Sequence, residues 1–125
     1  RDPYPSGNCK KYFPPFGDSR VILISDSMMA TGMENGKYEL GGQEVTMKDR
    51  KATLADGTIA GSATCLFDCM KSVISMGVSE REAILAATAN PAKSIGIYDE
   101  VGSLSVGKKA DILLVTDDLE LREVL

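Results

Sequence analysis

Asp26 closes the run Val21-Ile22-Leu23-Ile24-Ser25-Asp26, and a lone carboxylate at the end of an apolar stretch is a candidate proton acceptor or donor. The residues before it are mostly β-branched or leucine, the composition of a strand buried on both faces in a parallel sheet or barrel. In (β/α)-barrel enzymes the C-terminal ends of the strands carry the chemistry, so an acid there, ahead of the small residues Ser27 and Ala30, reads as catalytic. A turn or helix-capping aspartate accounts for the same position. A second candidate is Asp56-Gly57-Thr58-Ile59-Ala60-Gly61-Ser62, a small-residue loop feeding a helix N-terminus, where free backbone amides can meet an anion or a carbonyl oxygen. A plain turn followed by an N-cap explains it too.

Composition removes several other chemistries. With no histidine in its 125 residues, the chain cannot build a histidine-bearing zinc or iron site, nor a Ser-His or Cys-His nucleophile. Cys65 and Cys69, four apart, read as small core residues and not as a metal or redox pair. The glycines miss the dinucleotide and phosphate-loop spacings, and Gly32, Gly36, Gly41 and Gly42 read as turn residues. A formal charge of -4 and a pI near 4.8 argue against nucleic acid or an anionic membrane surface as partner. No run of about 18 apolar residues is present. The three cysteines (Cys9, Cys65, Cys69) suit a reducing cytoplasm better than a disulfide scaffold, so a cytoplasmic location is expected.

The elements that must position these residues follow from patterning. Residues 1–18 hold four of the five prolines and no apolar period, an irregular segment where a parallel strand should be preceded by a helix. Residues 37–58 alternate in short stretches between Gly41-Gly42, Asp49 and Asp56-Gly57, predicting a small antiparallel excursion. Ser62 is expected to cap a helix whose apolar residues Ala63, Leu66, Phe67, Met70, Val73 and Ile74 recur at helical spacing to about Gly77. Ser79-Glu80-Arg81-Glu82 is a capping box opening a second helix. Asn90 is expected to end it and start a third, with Pro91 in the first turn and Gly96 at the C-terminus. Residues 112–115 predict a second buried strand.

Five stretches together carry a resemblance: Ile24-Ser25-Asp26-Ser27-Met28; Gly36-Lys37-Tyr38-Glu39-Leu40-Gly41-Gly42; Leu54-Ala55-Asp56-Gly57-Thr58-Ile59-Ala60-Gly61-Ser62; Thr88-Ala89-Asn90-Pro91-Ala92; and residues 102–111, Gly-Ser-Leu-Ser-Val-Gly-Lys-Lys-Ala-Asp. The chain after Phe16 resembles the C-terminal part of the N-acetylglucosamine-6-phosphate deacetylases, in the amidohydrolase superfamily. The Asn-Pro-Ala and Gly-Lys-x-Ala-Asp pieces are common across the superfamily, whereas the Tyr-Glu-Leu-Gly-Gly and Leu-Ala-Asp-Gly-Thr-Ile-Ala-Gly-Ser pieces point to the deacetylases.

The resemblance implies an α/β fold: the C-terminal part of a (β/α)8 TIM-type barrel over residues 19–100, including the excursion at 37–58, plus strands of a small β-sandwich over 101–125. It implies that residues 21–25 are the last barrel strand. Asp26 is then the catalytic acid/base, taking a proton from a metal-activated water and returning one to the departing amine. Ile59, Ala60 and Gly61 match the family's substrate-contacting loop. The family's metal ligands, a glutamate and two histidines, match nothing here. A divalent metal, zinc or iron, is therefore expected in the full-length parent, with none bound by this fragment. An amino-sugar phosphate is the implied substrate and a homodimer the implied parent state. At 125 residues the chain is too short for a complete barrel of ~250 residues. As a fragment it is expected to be inactive and poorly soluble, since missing strands leave edges and apolar faces bare. The alternatives are another metal-dependent amidohydrolase acting on cyclic amides, or a non-catalytic remnant holding a sugar or anion at residues 59–62.

One departure suggests its own origin. Where the family has Gly-x-His-x-His-Pro and then a helix, this chain has Arg1-Asp2-Pro3-Tyr4-Pro5-Ser6-Gly7. Those residues can be encoded by CGG GAT CCA TAT CCA TCC GGN. Without the first base, the same string reads GGG ATC CAT ATC CAT CCG, which is Gly-Ile-His-Ile-His-Pro. Codons available for residues 8–15 continue the shifted frame as Glu-Ile-Val-Arg-Asn-Thr-Phe-Arg-Leu, an amphipathic helical sequence. Residues 1 to about 15 are therefore predicted to be a frameshifted translation.

Overall fold

Gly-Gly and Asp-Gly turns cut residues 36–62 into short alternating stretches, and each stretch pairs with its neighbour in sequence. In the computed structural model, which describes Phe13, residues 19–49 and residues 51–125, they form an antiparallel meander. Its strands are β1 (Gly36–Leu40), β2 (Gln43–Lys48), β3 (Lys51–Leu54) and β4 (Ile59–Ser62), in that order. The strands thus run a few residues past the 37–58 excursion read from sequence. Register sets Tyr38 opposite Val45, and Val45 opposite Leu54. Along β2, Val45 and Met47 are buried while Thr46 and Lys48 are exposed, the period of two that puts one face of a sheet inward. That face packs with Ala52, Ala63, Met28 and Ala30, bordered by Tyr38, Leu54 and Ala60. These residues belong to one compact unit, Ile24–Cys69. The other consists of the described residues up to Leu23 with Met70–Leu125.

Helix α1 (Leu66–Ser75) buries Met70 and Val73, as the apolar spacing predicts, but it starts three residues later than a Ser62 cap would place it. Ser62 is instead the last residue of β4. Its main-chain amide and carbonyl are both used in backbone hydrogen bonds to residues 26 and 28, which takes it out of a helical start. Helix α2 (Glu80–Ala87) opens on the capping box: Ser79 accepts from the Glu82 amide, and the Glu82 carboxylate accepts from the Ser79 amide. Such a cap is worth about 1 kcal/mol. The break before α3 (Ala89–Ser94) falls at Thr88, not Asn90. Asn90 lies inside α3, 4% exposed, and donates from Nδ2 to the Val21 carbonyl at 2.7 Å. A buried amide is retained there because it satisfies a main-chain oxygen. At the end of α3, Gly96 takes φ 76, and the bonds Ile97 N to Ala92 O and Gly96 N to Lys93 O complete a Schellman cap.

Two expected strands behave differently. Residues 21–25 have no sheet ladder; Val21, Leu23 and Ser25 are half-buried while Ile22 and Ile24 are 40% and 77% exposed, the alternation of an extended chain covered on one side. Two of its backbone groups are satisfied laterally, by Asn90 and by the Leu23 N to Ala86 O bond. A strand is defined by its neighbours, and no described residues pair along this one. Residues 112–115, expected as buried, contain β5 (Leu113–Val115), which pairs antiparallel with β6 (Leu121–Val124) in a hairpin exposed on both faces. A two-stranded ribbon cannot bury its own side chains.

The chain is thus α/β, with both described sheets antiparallel. Among the described residues, no helix is long and apolar enough to cross a membrane. Residues 1–15, where the frameshift is predicted, lie outside the described residues apart from Phe13.

Candidate active site

Asp26 is exposed and adopts φ 50, in the left-handed region that a β-branched residue would resist and aspartate tolerates. What holds it there is the end of β4. The Ser62 amide donates to the Asp26 carbonyl at 3.1 Å, and the Met28 amide donates to the Ser62 carbonyl at 2.9 Å. Ser27 and Ser62 form an isolated parallel bridge. The aspartate and the small-residue stretch singled out from sequence are therefore neighbours in the fold, joined through backbone.

Ile59, Ala60 and Gly61 lie in β4, not in a loop as the sequence suggests. The Asp-Gly turn before them explains why: Gly57 takes φ 84, Gly57 N donates to Leu54 O, and Leu54 N donates to Thr58 O, so the chain doubles back into pairing. Because β4 is the last strand of the meander, its outer edge presents backbone groups laterally, and Ser62 spends two of them on the Asp26 segment. The pairing also slips: Ala52 sits opposite Gly61 and Thr53 opposite Ile59, which leaves Ala60 as an extra bulged residue. Bulges of this kind re-aim side chains and backbone beside active sites. Ile59 is 53% exposed, whereas Ala60 packs on the core and Gly61 faces Met28.

The turn leading into β4 is fastened by charge. Asp56 Oδ1 accepts from the Thr58 amide at 2.9 Å, and the Thr58 backbone and side-chain hydrogen bonds lower the Asp56 pKa below its ordinary value. A depressed folded-state pKa means the carboxylate's contribution is present above the unfolded value and is lost as pH falls through the folded one. The Thr58 amide resonance is expected to keep its hydrogen-bonded shift through the ordinary carboxylate range and to lose it only at lower pH. A shift midpoint at or above about 3.9 would contradict this.

Hydroxyls surround the Asp26 segment. Ser27 Oγ donates to the Thr64 carbonyl at 2.6 Å and stands 2.7 Å from Ser25 Oγ; Thr31 Oγ1 donates to the Ser62 carbonyl at 3.2 Å. Ser62 Oγ is 2.6 Å from Thr64 Oγ1. Sequence reading missed Ser27, Thr31 and Thr64 as parts of the site; an apolar run ending in Ser-Asp-Ser was the one available signal.

In the same unit a cavity of about 390 Å³ is lined by Met33, Asn35, Met47, Asp49, Cys65 and Asp68, among others, and neither Asp26 nor residues 59–61 line it. Cys65 Sγ there donates to Asp68 Oδ2 at 3.3 Å, and Cys69 Sγ lies 3.8 Å from Thr64 Oγ1. Among the described residues no group of three or more His, Cys, Asp or Glu could hold a metal ion. Asp26 alone does not make a divalent-metal site.

An exposed carboxylate held at a left-handed turn beside a bulged edge strand suits proton transfer next to a bound polar substrate. The amidohydrolase family model matches residues 20–124, and the chain belongs to that family. It is similar to the N-acetylglucosamine-6-phosphate deacetylase of Bacillus subtilis, 42% identical over 106 residues, covering 84% of this chain and 27% of that protein. The chain thus spans about a quarter of the length of that curated relative. Among solved structures it is similar to the Pasteurella multocida deacetylase, with TM-score 0.80 and 26% identity, covering 87% of this chain and 29% of that one. It is also similar to a variant of the Mycobacterium smegmatis enzyme in complex with N-acetyl-D-glucosamine-6-phosphate, with TM-score 0.78 and 30% identity, over 87% and 30% of the two chains.

Proposed function

We propose that this chain is the C-terminal part of a hydrolase that converts N-acetylglucosamine 6-phosphate and water to glucosamine 6-phosphate and acetate, in amino-sugar catabolism. The observation that carries the reading is the tie between Asp26 and the end of β4, in a chain matched along 20–124 to amide-hydrolysing relatives. Asp26 acts as acid/base: its carboxylate accepts a proton as water adds to the acetamide carbonyl, then gives that proton to the sugar nitrogen as the C–N bond breaks. Ile59, Ala60 and Gly61 hold the substrate against the edge of β4. Amidohydrolases are generally metal-dependent, and the divalent cation, zinc or iron, is held by residues outside this chain; the described ones do not fit it.

In this reading residues 19–100 belong to a (β/α)8 barrel and 101–125 to a β-sandwich. The bare apolar faces at Ile22, Ile24, Leu113 and Val124 are in keeping with it. The full-length protein is a cytoplasmic homodimer, and the 125 residues alone are inactive. The frameshift reading of residues 1–15 rests on the codons that those residues allow. Resequencing the coding DNA across that region tests it, and an intact frame matching the present residues 1–15 would refute it.

The activity test follows amide hydrolysis by the full-length protein, as acetate release from N-acetylglucosamine 6-phosphate and as ring opening of cyclic dihydro-ring amides. Turnover of the cyclic amides alone moves the assignment to another amidohydrolase. Gly61→Ala probes the substrate strand. An added Cβ would sit 3.5 Å from Met28 Cβ, an ordinary contact, at a φ that is not positive. The melting temperature is therefore expected to hold within a degree or two while KM rises about tenfold, from a loss of roughly 1.4 kcal/mol in binding. An unchanged KM would remove Gly61 from the substrate site.

A further inference from the structure

We infer that Ser27 and Thr31 are positioning residues for Asp26, a role that rests on the acid/base reading above and deepens it. The argument begins with the left-handed backbone of Asp26, φ 50. A residue other than glycine stays in that conformation when its surroundings over-determine it. Four hydrogen bonds tie residues 26–31 to the end of β4 and the residues after it. Two are main chain to main chain: Ser62 N to Asp26 O at 3.1 Å, and Met28 N to Ser62 O at 2.9 Å. The other two come from side chains on either side of Met28: Ser27 Oγ to Thr64 O at 2.6 Å, and Thr31 Oγ1 to Ser62 O at 3.2 Å.

The four bonds are concerted. Ser62 O accepts both the Met28 amide and the Thr31 hydroxyl, so Thr31 fixes the acceptor that holds the residue two after Asp26. Ser27 pins the next residue in line to a carbonyl two residues beyond Ser62. Beneath them Met28 is buried against Gly61, and the turn continues with Thr31 N to Met28 O at 2.9 Å. With the backbone of Asp26 fixed, the direction of its Cα–Cβ bond is fixed, and only staggered rotations about χ1 are left to the carboxylate. Without the hydroxyls only the two main-chain bonds remain, and Asp26 relaxes more readily toward negative φ, which swings Cβ and carries the carboxylate away from the reacting atoms. A displacement of about 1 Å at a reacting group can cost on the order of 10²-fold in rate.

The test uses the full-length protein carrying Ser27→Ala, Thr31→Val, both together, and the conservative pair Ser27→Thr with Thr31→Ser. Three quantities are read: kcat and KM on N-acetylglucosamine 6-phosphate, hydrogen exchange of the Met28 and Ser62 amides on peptides covering them, and the melting temperature. The double variant is expected to lower kcat roughly 10- to 100-fold, to leave KM within about twofold, and to speed exchange of both amides. The conservative pair is expected to restore all of these. A double variant with wild-type kcat and wild-type exchange overturns the inference, as does a kcat loss that the conservative pair fails to rescue. If the wild-type protein does not turn over this substrate, the acid/base reading falls by itself. The exchange measurement then decides the clamp: faster exchange of both amides in the double variant supports it, and unchanged exchange overturns it.

Discussion

Asp26→Asn in the full-length protein is expected to lower kcat on N-acetylglucosamine 6-phosphate by roughly 10²- to 10⁴-fold, with KM and melting temperature nearly unchanged. Asparagine is the informative replacement because of the backbone. Asp26 sits at φ 50, and asparagine enters that left-handed region as readily as aspartate, so the turn and its bonds to Ser62 survive the change. The carboxamide keeps the shape and can still accept a hydrogen bond, but it can neither take the proton of the attacking water nor protonate the leaving amine. Alanine would confuse the result, adding about 1–2 kcal/mol of left-handed strain to the loss of chemistry. Activity retained within about fivefold in Asp26→Asn would remove Asp26 from the reaction.

A second large effect falls on stability, away from Asp26. Gly102 takes φ 87, and a Cβ built on it would lie 2.8 Å from Ala92 Cβ, 3.1 Å from the Thr88 carbonyl oxygen and 3.3 Å from Ala89 Cα. Two of those atoms are backbone around the start of α3, where α2 meets α3, and cannot rotate away. Gly102→Ala therefore combines left-handed strain of about 1–2 kcal/mol with overpacking of about 1–3 kcal/mol. The sum is a loss of roughly 2–5 kcal/mol. Gly107→Ala is the matched control: φ is 92, yet nothing lies within 4 Å of the new carbon, so only the backbone strain is incurred. Chemical denaturation of the two variants should separate them by about 1–3 kcal/mol. Equal destabilisation would show that the approach of Gly102 to α3 contributes nothing.

The parts of this architecture legible in the sequence are those decided by local chemistry. The capping box at Ser79 and Glu82 is a four-residue pattern whose two hydrogen bonds close on themselves. Gly96 at the end of α3 follows from the need for a left-handed residue. Gly41-Gly42 and Asp56-Gly57 mark turns whatever surrounds them. Asp26 was conspicuous because nothing in an apolar run calls for a carboxylate. What the sequence concealed depends on partners distant along the chain. Ser62 has the composition of an N-cap, but its amide and carbonyl are claimed by residues 26 and 28, and no local pattern announces a pairing across 36 positions. Residues 21–25 and 112–115 look alike in sequence as buried strands. Burial is a property of what packs on a strand, and both are partly bare among the described residues. Thr31 and Thr64 are ordinary polar residues until the fold sets them around Ser62.

The most direct test of the central claim is a crystal structure of the full-length Asp26→Asn protein with N-acetylglucosamine 6-phosphate bound. The account predicts the acetamide group within about 2.6–3.2 Å of the residue-26 carboxamide, at hydrogen-bond distance, with the sugar lying along Ile59, Ala60 and Gly61. A substrate bound with its acetamide remote from residue 26, and with no contact to β4, would contradict the assignment of Asp26 as the acid/base and of β4 as the substrate strand.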